Sequence, residues 1–238
     1  MQKKRKSETD HLEHARKKIL TAALIHVPFD GWSRTALEAG VKDAGIDIAL
    51  ARVAFARGPV DLALYFHRQG DAAMAHVIAN GDATNLRYRD RIALAVKIRL
   101  TIAADDKESV RKGVVFFALP SHASDGARAV WDTADAIWNC LGDTSSDINW
   151  YSKRLTLGAV YSATTLYWLG DETPDHQATW AFLDRRIADV MAFETFKARV
   201  KDNQLFQGFM KGPGRVFQNI SAPKPRYQSD LPGHVAHK

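Results

Sequence analysis

Apolar residues recur along this chain at the helical spacings of three and four, and the strict alternation of a β-strand is almost absent. The pattern therefore predicts an all-α protein. A first helix is expected over about 10–27, where Pro28 ends it. Two short helices are predicted over 33–39 and 47–56, with the glycine-containing run 40–45 as the turn between them. Together these elements have a helix-turn-helix outline.

Longer helices follow this outline. Ser33 can cap the second helix, and Pro59 suits the first position of a helix over about 60–79. Thr173 and Pro174 are placed to cap and begin the last clearly amphipathic helix. Between these points the sequence predicts further helices at about 83–103, 106–118, 121–140 and 147–169.

A concentrated set of aromatic and charged residues occurs where the helix ending near 169 begins. Ser146 or Asp147 can cap this helix. Counting from Asp147, the offsets of three, four and seven place Trp150, Tyr151 and Arg154 on one helix face. Such a mixed face is typical of interface anchors, although a core tryptophan beside a simple cap would produce the same pattern.

The same helix carries an apolar stripe and further apolar residues around its second half. A helix that is apolar nearly all round is normally buried, so we expect it to be central in the fold. The stripe consists of Ile148, Leu155, Ala159 and Leu166.

The C-terminal part of the chain changes character. Residues 195–211 are basic and amphipathic, which suits packing on the protein body, on a partner or on a membrane surface. The large apolar side chains near the end of this segment are Leu205, Phe206, Phe209 and Met210. Residues 212–238 are rich in proline and poor in apolar groups, so we expect a disordered tail.

Composition narrows the class of protein. The chain has 238 residues, of which 46% are hydrophobic and 25% charged, as in soluble globular proteins. The formal charge of +6 reflects a basic start more than a basic domain. Cys140 is the only cysteine, which excludes intrachain disulfides and fits a reducing compartment. No apolar run approaches a membrane span and no secretory leader is evident, so we expect a cytosolic protein, bacterial or organellar.

Catalytic and metal-binding motifs are missing from the sequence. A ferritin-like di-iron site needs two Glu-x-x-His motifs, whereas this chain has only the one at Glu8 to His11. The histidines lack ligand spacing, and no nucleophile elbow, phosphate loop or dinucleotide fingerprint occurs. We therefore expect neither enzymatic activity nor a metal or other cofactor.

The run from Gly142 to Met191 resembles the Coq-nine family of ubiquinone-biosynthesis proteins. A weaker likeness extends from about His14 to Gln218. The residues that carry the dense part of the resemblance are Asp147 to Tyr151, Arg154, Tyr161, Thr165, Leu169, Asp171, Asp175, Thr179, Trp180, Phe182, Leu183, Arg186 and Asp189.

The resemblance implies a fold similar to the TetR regulators, with a three-helix unit on a larger helical domain, and a homodimer. It implies a lipid-binding accessory protein that holds an isoprenoid quinone or precursor and supports the di-iron demethoxyubiquinone hydroxylase. The positions matching the family's hydroxylase-binding patch are Asp147, Trp150, Tyr151 and Arg154. The family's C-terminal amphipathic helix would give reversible membrane contact, on the matrix side in a mitochondrion, although the break at Gly212-Pro213-Gly214 shortens it here. The candidates for membrane insertion are Leu205, Phe206, Phe209 and Met210.

On this basis the chain divides into a basic tail over 1–9, a three-helix unit over 10–57, a lipid-binding domain over 58–194, an amphipathic segment over 195–211 and the tail over 212–238. A lipid carrier needs a long apolar cavity, because each buried methylene contributes about 0.8 kcal/mol. The candidate lining residues, taken from predicted inward faces, are Met74, Ile78, Val96, Val114, Phe117, Trp138, Tyr161 and Trp168. Each of them also suits an ordinary core.

The alternative is a TetR-type transcriptional repressor, which would bind an operator and sense a small molecule. DNA recognition requires base-contacting donors on the third helix and cations for phosphates. The segment 46–55 offers only Arg52 and the acid Asp47, and the Tyr-x-His-Phe motif typical of repressors is missing. These features argue against sequence-specific DNA binding, although the basic tail and Arg57 would allow salt-sensitive, nonspecific binding.

Overall fold

The computed structural model describes the backbone of residues 2–81 and 85–201, and the side chains of residues 10–81 and 85–192. Within these ranges the regular structure is helical, without a β-strand, which confirms the all-α prediction. The helices are α1 (Gln2–Ala23), α2 (Val27–Asp30), α3 (Arg34–Asp43), α4 (Ile48–Ala54), α5 (Pro59–Asn80), α6 (Tyr88–Ile102), α7 (Lys107–Ala118), α8 (Ala123–Cys140), α9 (Ile148–Gly170) and α10 (Gln177–Lys201).

Helices α1, α3 and α4 pack together into the three-helix arrangement that the sequence predicts. Local capping explains where the short helices begin. The Ser33 hydroxyl accepts a hydrogen bond from the Ala36 amide at 3.1 Å, as predicted. Asp47 Oδ1 accepts one from the Ala49 amide at 2.8 Å and so begins α4. The apolar core beneath these helices includes Ile19, Ala23, Val27, Trp32, Ala36 and Phe55.

The turn predicted over 40–45 is wrong in its first part, because α3 continues to Asp43. Gly40 is buried in the α1–α3 contact, where an added Cβ would lie 2.6 Å from the Ala23 Cβ. This glycine therefore serves close helix packing rather than a turn. The turn itself depends on Gly45, whose φ of 63° is in the left-handed region that favours glycine.

A second apolar core lies among α5, α6, α8, α9 and α10. Fully buried residues at its centre are Met74, Val96, Ile137 and Trp168. Helix α5 belongs to both cores, since Leu62, Ala63 and Tyr65 pack in the first and Met74 packs in the second. One long helix thus connects the three-helix arrangement to the larger part of the fold.

Helix α9 is buried on one side only. Its residues Leu157, Val160, Tyr161 and Trp168 are buried, as expected for a core helix. The stripe predicted on the same helix is exposed instead, with Leu155 at 63% and Leu166 at 58% of full exposure. Helices α8 and α10 pack against other sides of α9 and leave this stripe uncovered among the described residues.

The last helix begins later than the sequence predicts. Pro174 to His176 form a 3₁₀ turn in which Asp175 has a φ of 51°, and α10 begins at Gln177. The Asp171 carboxylate fixes this turn by accepting hydrogen bonds from the amides of Thr173 and Thr179, each at 2.9 Å. The membrane-insertion candidates Leu205, Phe206, Phe209 and Met210, and the predicted tail, lie outside the described residues.

Candidate functional site

A cavity of about 490 Å³ lies among α5, α6, α7, α8 and α9 and is partly open to solvent. Its size is within the range of about 300–1,000 Å³ that is usual for small-molecule sites. Most of its wall is apolar, and it extends from Trp32 and Leu100 to Trp131 and Leu155. A glycine allows two parts of the wall to pack closely, since an added Cβ at Gly126 would lie 2.7 Å from the Phe117 Cβ.

The predicted lipid-lining residues separate into two groups. Val114, Phe117 and Tyr161 line the cavity. Met74, Val96, Trp138 and Trp168 are buried in the second core instead, and Ile78 packs against that core, so these residues do not form the cavity wall. The helical period identifies an inward face, but it does not show whether that face meets a packed core or a hollow.

A polar group that the sequence did not indicate forms part of the cavity wall. Arg99 Nε donates to Asp71 Oδ1 at 2.7 Å, and Arg99 Nη2 donates to the His67 carbonyl at 3.1 Å. Thr133 Oγ1 lies 2.9 Å from Asp71 Oδ1 and 2.7 Å from His67 Nε2. Gly70 makes room for the guanidinium, since an added Cβ would lie 2.5 Å from the Arg99 Cζ.

This polar group has almost no net charge at neutral pH. The guanidinium of Arg99 and the carboxylate of Asp71 are buried together and balance each other. Burial lowers the pKa of His67, so its imidazole is neutral near pH 7. Because the Thr133 hydroxyl can donate to the Asp71 carboxylate, the short contact with Thr133 fits a proton on His67 Nε2.

Ser109 is a buried polar residue beside the cavity. The residue is 1% exposed, and its Oγ has no hydrogen-bond partner among the described residues. Its backbone position is fixed, because the Trp32 indole donates to the Ser109 carbonyl at 3.0 Å. Trp138 Nε1 and Trp168 Nε1 in the second core likewise have no partner among the described residues, so the unpaired Ser109 hydroxyl does not by itself indicate a ligand.

The predicted partner surface contains an aromatic cluster, defined by Trp131, Trp150 and Tyr151. Trp150 and Tyr151 meet edge to face with ring centroids 4.8 Å apart. Trp131, on α8, lies 5.6 Å from Trp150 and 6.2 Å from Tyr151. All three rings are half-buried, and the exposed Asp147 caps the helix beside them by accepting from the Asn149 amide at 3.0 Å.

Arg154 lies beneath the aromatic cluster and is only 1% exposed. Its guanidinium carbon is 3.9 Å from the centroid of the Trp150 ring, and its Nε donates to Asp135. Nη1 donates to the Trp150 carbonyl at 3.1 Å and to Asp143 Oδ2 at 3.2 Å. Any contribution of Arg154 to a partner surface would therefore act through the position of Trp150.

Asp143 completes the ion network below the cluster. Its Oδ1 accepts hydrogen bonds from Lys153 Nζ and Ser145 Oγ, both at 2.7 Å. Burial works against the charged form of this carboxylate, but the hydrogen bonds from Lys153, Ser145 and Arg154 outweigh it and lower the pKa to about 2. The loop before α9 is thus tied to the first turns of the helix.

The aromatic cluster and the cavity adjoin each other. Trp131 and Arg154 belong to the cavity wall and also contact Trp150. The sequence patterns do not indicate Trp131, Arg99 or Ser109. Trp131 is far from Trp150 in the chain, and only the packing of α8 on α9 brings the two rings together.

The segment that a repressor would insert into DNA is α4. It exposes Ile48 at 50% and Val53 at 64% of full exposure, and its cation is Arg52. This surface is apolar where base recognition requires hydrogen-bond donors.

Among the described residues, no cluster of three or more His, Cys, Asp or Glu side chains is arranged to hold a metal ion. None of the described helices combines the length and apolarity needed to cross a membrane.

Known proteins resemble this chain over most of its length. A family model described as COQ9 matches residues 123–194. "Ubiquinone biosynthesis protein COQ9, mitochondrial" of Rattus norvegicus is 30% identical over 223 residues, which cover 90% of this chain and 71% of the rat protein. The Homo sapiens protein of the same name is 29% identical over 226 residues, covering 91% and 70% of the two chains.

A solved structure has a similar fold. The TetR transcriptional regulator from Nitrosomonas europaea ATCC 19718 superposes with a TM-score of 0.59 at 17% identity, covering 73% of this chain and 95% of the regulator. At this identity the likeness concerns the fold alone. It confirms the predicted TetR-like arrangement.

Proposed function

The chain belongs to the COQ9 family and acts in ubiquinone biosynthesis, and we propose that it does so without catalysis, by binding isoprenoid quinone intermediates and presenting them to the di-iron demethoxyubiquinone hydroxylase. The observation that carries the proposal is the apolar cavity of about 490 Å³ beside the aromatic cluster. It supports the proposal, because a lipid bound in the cavity and a protein bound at the aromatic cluster would lie next to each other.

Burial of apolar area explains why such a cavity would bind an isoprenoid. Each methylene group removed from water contributes about 0.8 kcal/mol, so one five-carbon unit contributes several kcal/mol. The wall residues Leu100, Val110, Val114, Phe117 and Val130 are apolar and offer this burial. An isoprenoid tail that left a bilayer for this cavity would lose much of its contact with water.

The aromatic cluster supports the second half of the proposal. Tryptophan and tyrosine are enriched among the residues that carry binding energy at protein interfaces. Trp150 and Tyr151 are held in place by Trp131 and Arg154, so little side-chain entropy would be lost when a partner covers them. A hydroxylase docked here would contact Trp131, which belongs to the wall of the lipid cavity.

Two further parts of the proposal concern association. The exposed stripe of α9, whose Leu155, Ala159 and Leu166 also border the cavity, is a candidate surface for a homodimer, since exposed apolar patches commonly mark protein contacts. The second copy would then cover the opening of the cavity as well. Peripheral membrane contact would involve Leu205, Phe206, Phe209 and Met210, in a bacterial cytoplasm or on the matrix side of a mitochondrion. The rat and human relatives are named mitochondrial.

Native mass spectrometry with lipid identification tests the proposal. The full chain would be purified from a ubiquinone-producing host and sprayed without delipidation. We expect a stoichiometric isoprenoid quinone or precursor, and we expect the isolated hydroxylase to bind the loaded protein. Protein that carries no lipid and binds an operator in a parallel DNA screen would replace the proposal with the repressor alternative.

A further inference from the structure

His67 is a residue of the cavity wall whose charge can change between pH 5 and pH 8. It lies on α5, and its side chain keeps 19% of its full exposure. Its Nε2 lies 2.7 Å from Thr133 Oγ1 and 3.2 Å from the Ala129 carbonyl, both on α8. Both contacts suit an Nε2–H donor, which the neutral imidazole supplies as well as the charged one. The contacts that orient His67 therefore do not require it to be charged.

The charges beside His67 are balanced before it takes up a proton. Asp71, one helical turn farther along α5, accepts from Arg99 Nε at 2.7 Å and lies 3.7 Å from His67 Nε2. The side chains of Arg99 and Asp71 are 4% and 11% exposed, so each depends on the other for its charge balance. A proton on His67 would give this group two cations and one carboxylate.

The charged groups on the other helices do not compensate that additional charge. On α8, Asp132 favours the proton, but it is 46% exposed and paired with Arg128. On α9, burial raises the pKa of the Tyr161 hydroxyl, which keeps it uncharged, and Arg154 is neutralised in the ion network below the aromatic cluster. The wall residues contributed by α7 are uncharged.

A ligand in the cavity would act on the ionisation of His67. Burial already lowers the pKa of His67, against the attraction of Asp71. An apolar ligand would remove water that remains beside the imidazole and so disfavour its charged form further. Since the proton then binds less tightly with ligand present, the ligand also binds less tightly with the proton present.

We infer that His67 makes lipid binding by this cavity sensitive to pH: the uncharged imidazole accepts an apolar ligand beside it, and protonation of His67 weakens the binding of that ligand. The inference rests on the proposed function and adds a means of unloading to it. It does not depend on the head group of the lipid, because the competition arises from the apolar part that covers the wall.

Equilibrium dialysis of farnesol against the delipidated full chain measures this competition, because farnesol is uncharged between pH 5 and pH 8. We expect one dissociation constant from pH 8 to pH 7 and a rise of about threefold or more by pH 5, with no more than about tenfold for each pH unit, since one proton is involved. The rise should reverse when the pH returns to 7.5. Circular dichroism at each pH checks that the helices stay intact.

The variant His67→Gln removes the ionisable group and keeps a side-chain N–H that can donate to Thr133. Its affinity for farnesol should be the same at pH 5 and pH 8. The matched control is His122→Gln, which alters a half-buried histidine that stacks on Phe116 outside the cavity wall. This control should keep the pH dependence of the unchanged protein.

The ionisation of His67 can also be followed directly in the unchanged protein. An NMR titration of its ring protons, assigned through their contacts with Thr133, should give a lower pKa with farnesol bound than without it. This measurement decides the inference even where His67→Gln does not fold.

The outcomes separate the inference from the proposed function. Equal affinity for farnesol at pH 5 and pH 8, or a loss at pH 5 that persists in His67→Gln, would overturn the inference and leave the lipid carrier intact. An identical pKa of His67 with and without farnesol would overturn it as well. Failure of farnesol to bind at any pH would count against the lipid-binding function itself.

Discussion

The guanidinium carbon of Arg154 lies 3.9 Å from the centroid of the Trp150 ring, with the two residues one helical turn apart on α9. A cation at this distance from an indole face is attracted by the ring, and more strongly where water is excluded. The same arginine binds Asp143 and the Trp150 carbonyl. Trp150 is therefore held in a defined orientation by a buried charge.

Replacing Trp150 with alanine should weaken binding of the hydroxylase by about 2 kcal/mol or more, because central interface tryptophans commonly contribute that much. The measurement is the dissociation constant of the complex, together with a thermal melt of the variant. Tyr167→Ala is the control, since Tyr167 is an exposed aromatic residue farther along α9 that stacks on Phe182. A collapse of the melting temperature in Trp150→Ala would show that the residue belongs to the core.

Replacing Arg154 with alanine should lower stability by about 3–5 kcal/mol, because it leaves the buried Asp143 carboxylate without one of its partners. Chemical denaturation measures this difference. Partner binding should fall as well, through the loss of Trp150 orientation. An Arg154→Ala protein of normal stability that has lost only partner binding would instead indicate direct contact between Arg154 and the hydroxylase.

Lowering the pH should weaken the contacts that hold the loop before α9 against the helix. The pKa of Asp143 is lowered to about 2, below its ordinary value of 3.8, so the charged form stabilises the fold above about pH 4 and this contribution is lost as the pH falls toward 2. Asp143→Asn should lower the free energy of unfolding at pH 7 by about 2 kcal/mol. The difference from the unchanged protein should shrink between pH 4 and pH 2.

The control for this titration is Asp132→Asn, which removes an exposed ion pair with Arg128. Exposed pairs contribute little, so this variant should differ from the unchanged protein by no more than about 1 kcal/mol. A difference for Asp143→Asn that is constant from pH 7 to pH 2 would contradict the role given to the Asp143 charge.

Filling the cavity opening should remove lipid without unfolding the protein. Ala159 is exposed and also lines the cavity, so a tryptophan introduced there would occupy the space of a ligand. The lipid recovered with Ala159→Trp should fall several-fold, while the lipid-free melting temperature should change little. Ala181→Trp, at an exposed position of α10 outside the cavity wall, should keep its lipid.

Gly40→Ala should destabilise the three-helix core by about 1–3 kcal/mol, because the added methyl group would lie 2.6 Å from the Ala23 Cβ and 2.8 Å from its Cα. Backbone atoms cannot give way as a flexible side chain can. Gly170→Ala is the matched control, since an added Cβ there meets nothing within 4 Å. Thermal melts of the two variants should differ clearly, with Gly170→Ala unchanged or slightly more stable.

Local features of the fold were predictable from the sequence. Helix caps at Ser33 and Asp147 depend on hydrogen bonds within three residues, so the residue types alone indicate them. Gly40 was misread because a glycine required for close packing between helices looks the same in sequence as one required for a turn. The contact with Ala23, which decides between the two, joins residues that are distant in the chain.

The candidate site was predictable only in part. The helical period placed Trp150, Tyr151 and Arg154 near one another, but it did not show that α8 covers Arg154 and adds Trp131. The cavity itself depends on how large and small side chains from several helices pack together. No spacing rule contains that information, which is why Val114, Phe117 and Tyr161 line the cavity while Trp138 and Trp168 fill the core.

Helix α5 runs through both apolar cores, with Leu62 and Tyr65 in the first and Met74 in the second. Each turn of a helix is stabilised by the turn before it, so loss of structure in one half of α5 removes support from the other half. The two cores should therefore melt in a single calorimetric transition. A cut between Tyr65 and Met74 would divide the helix that the two cores share.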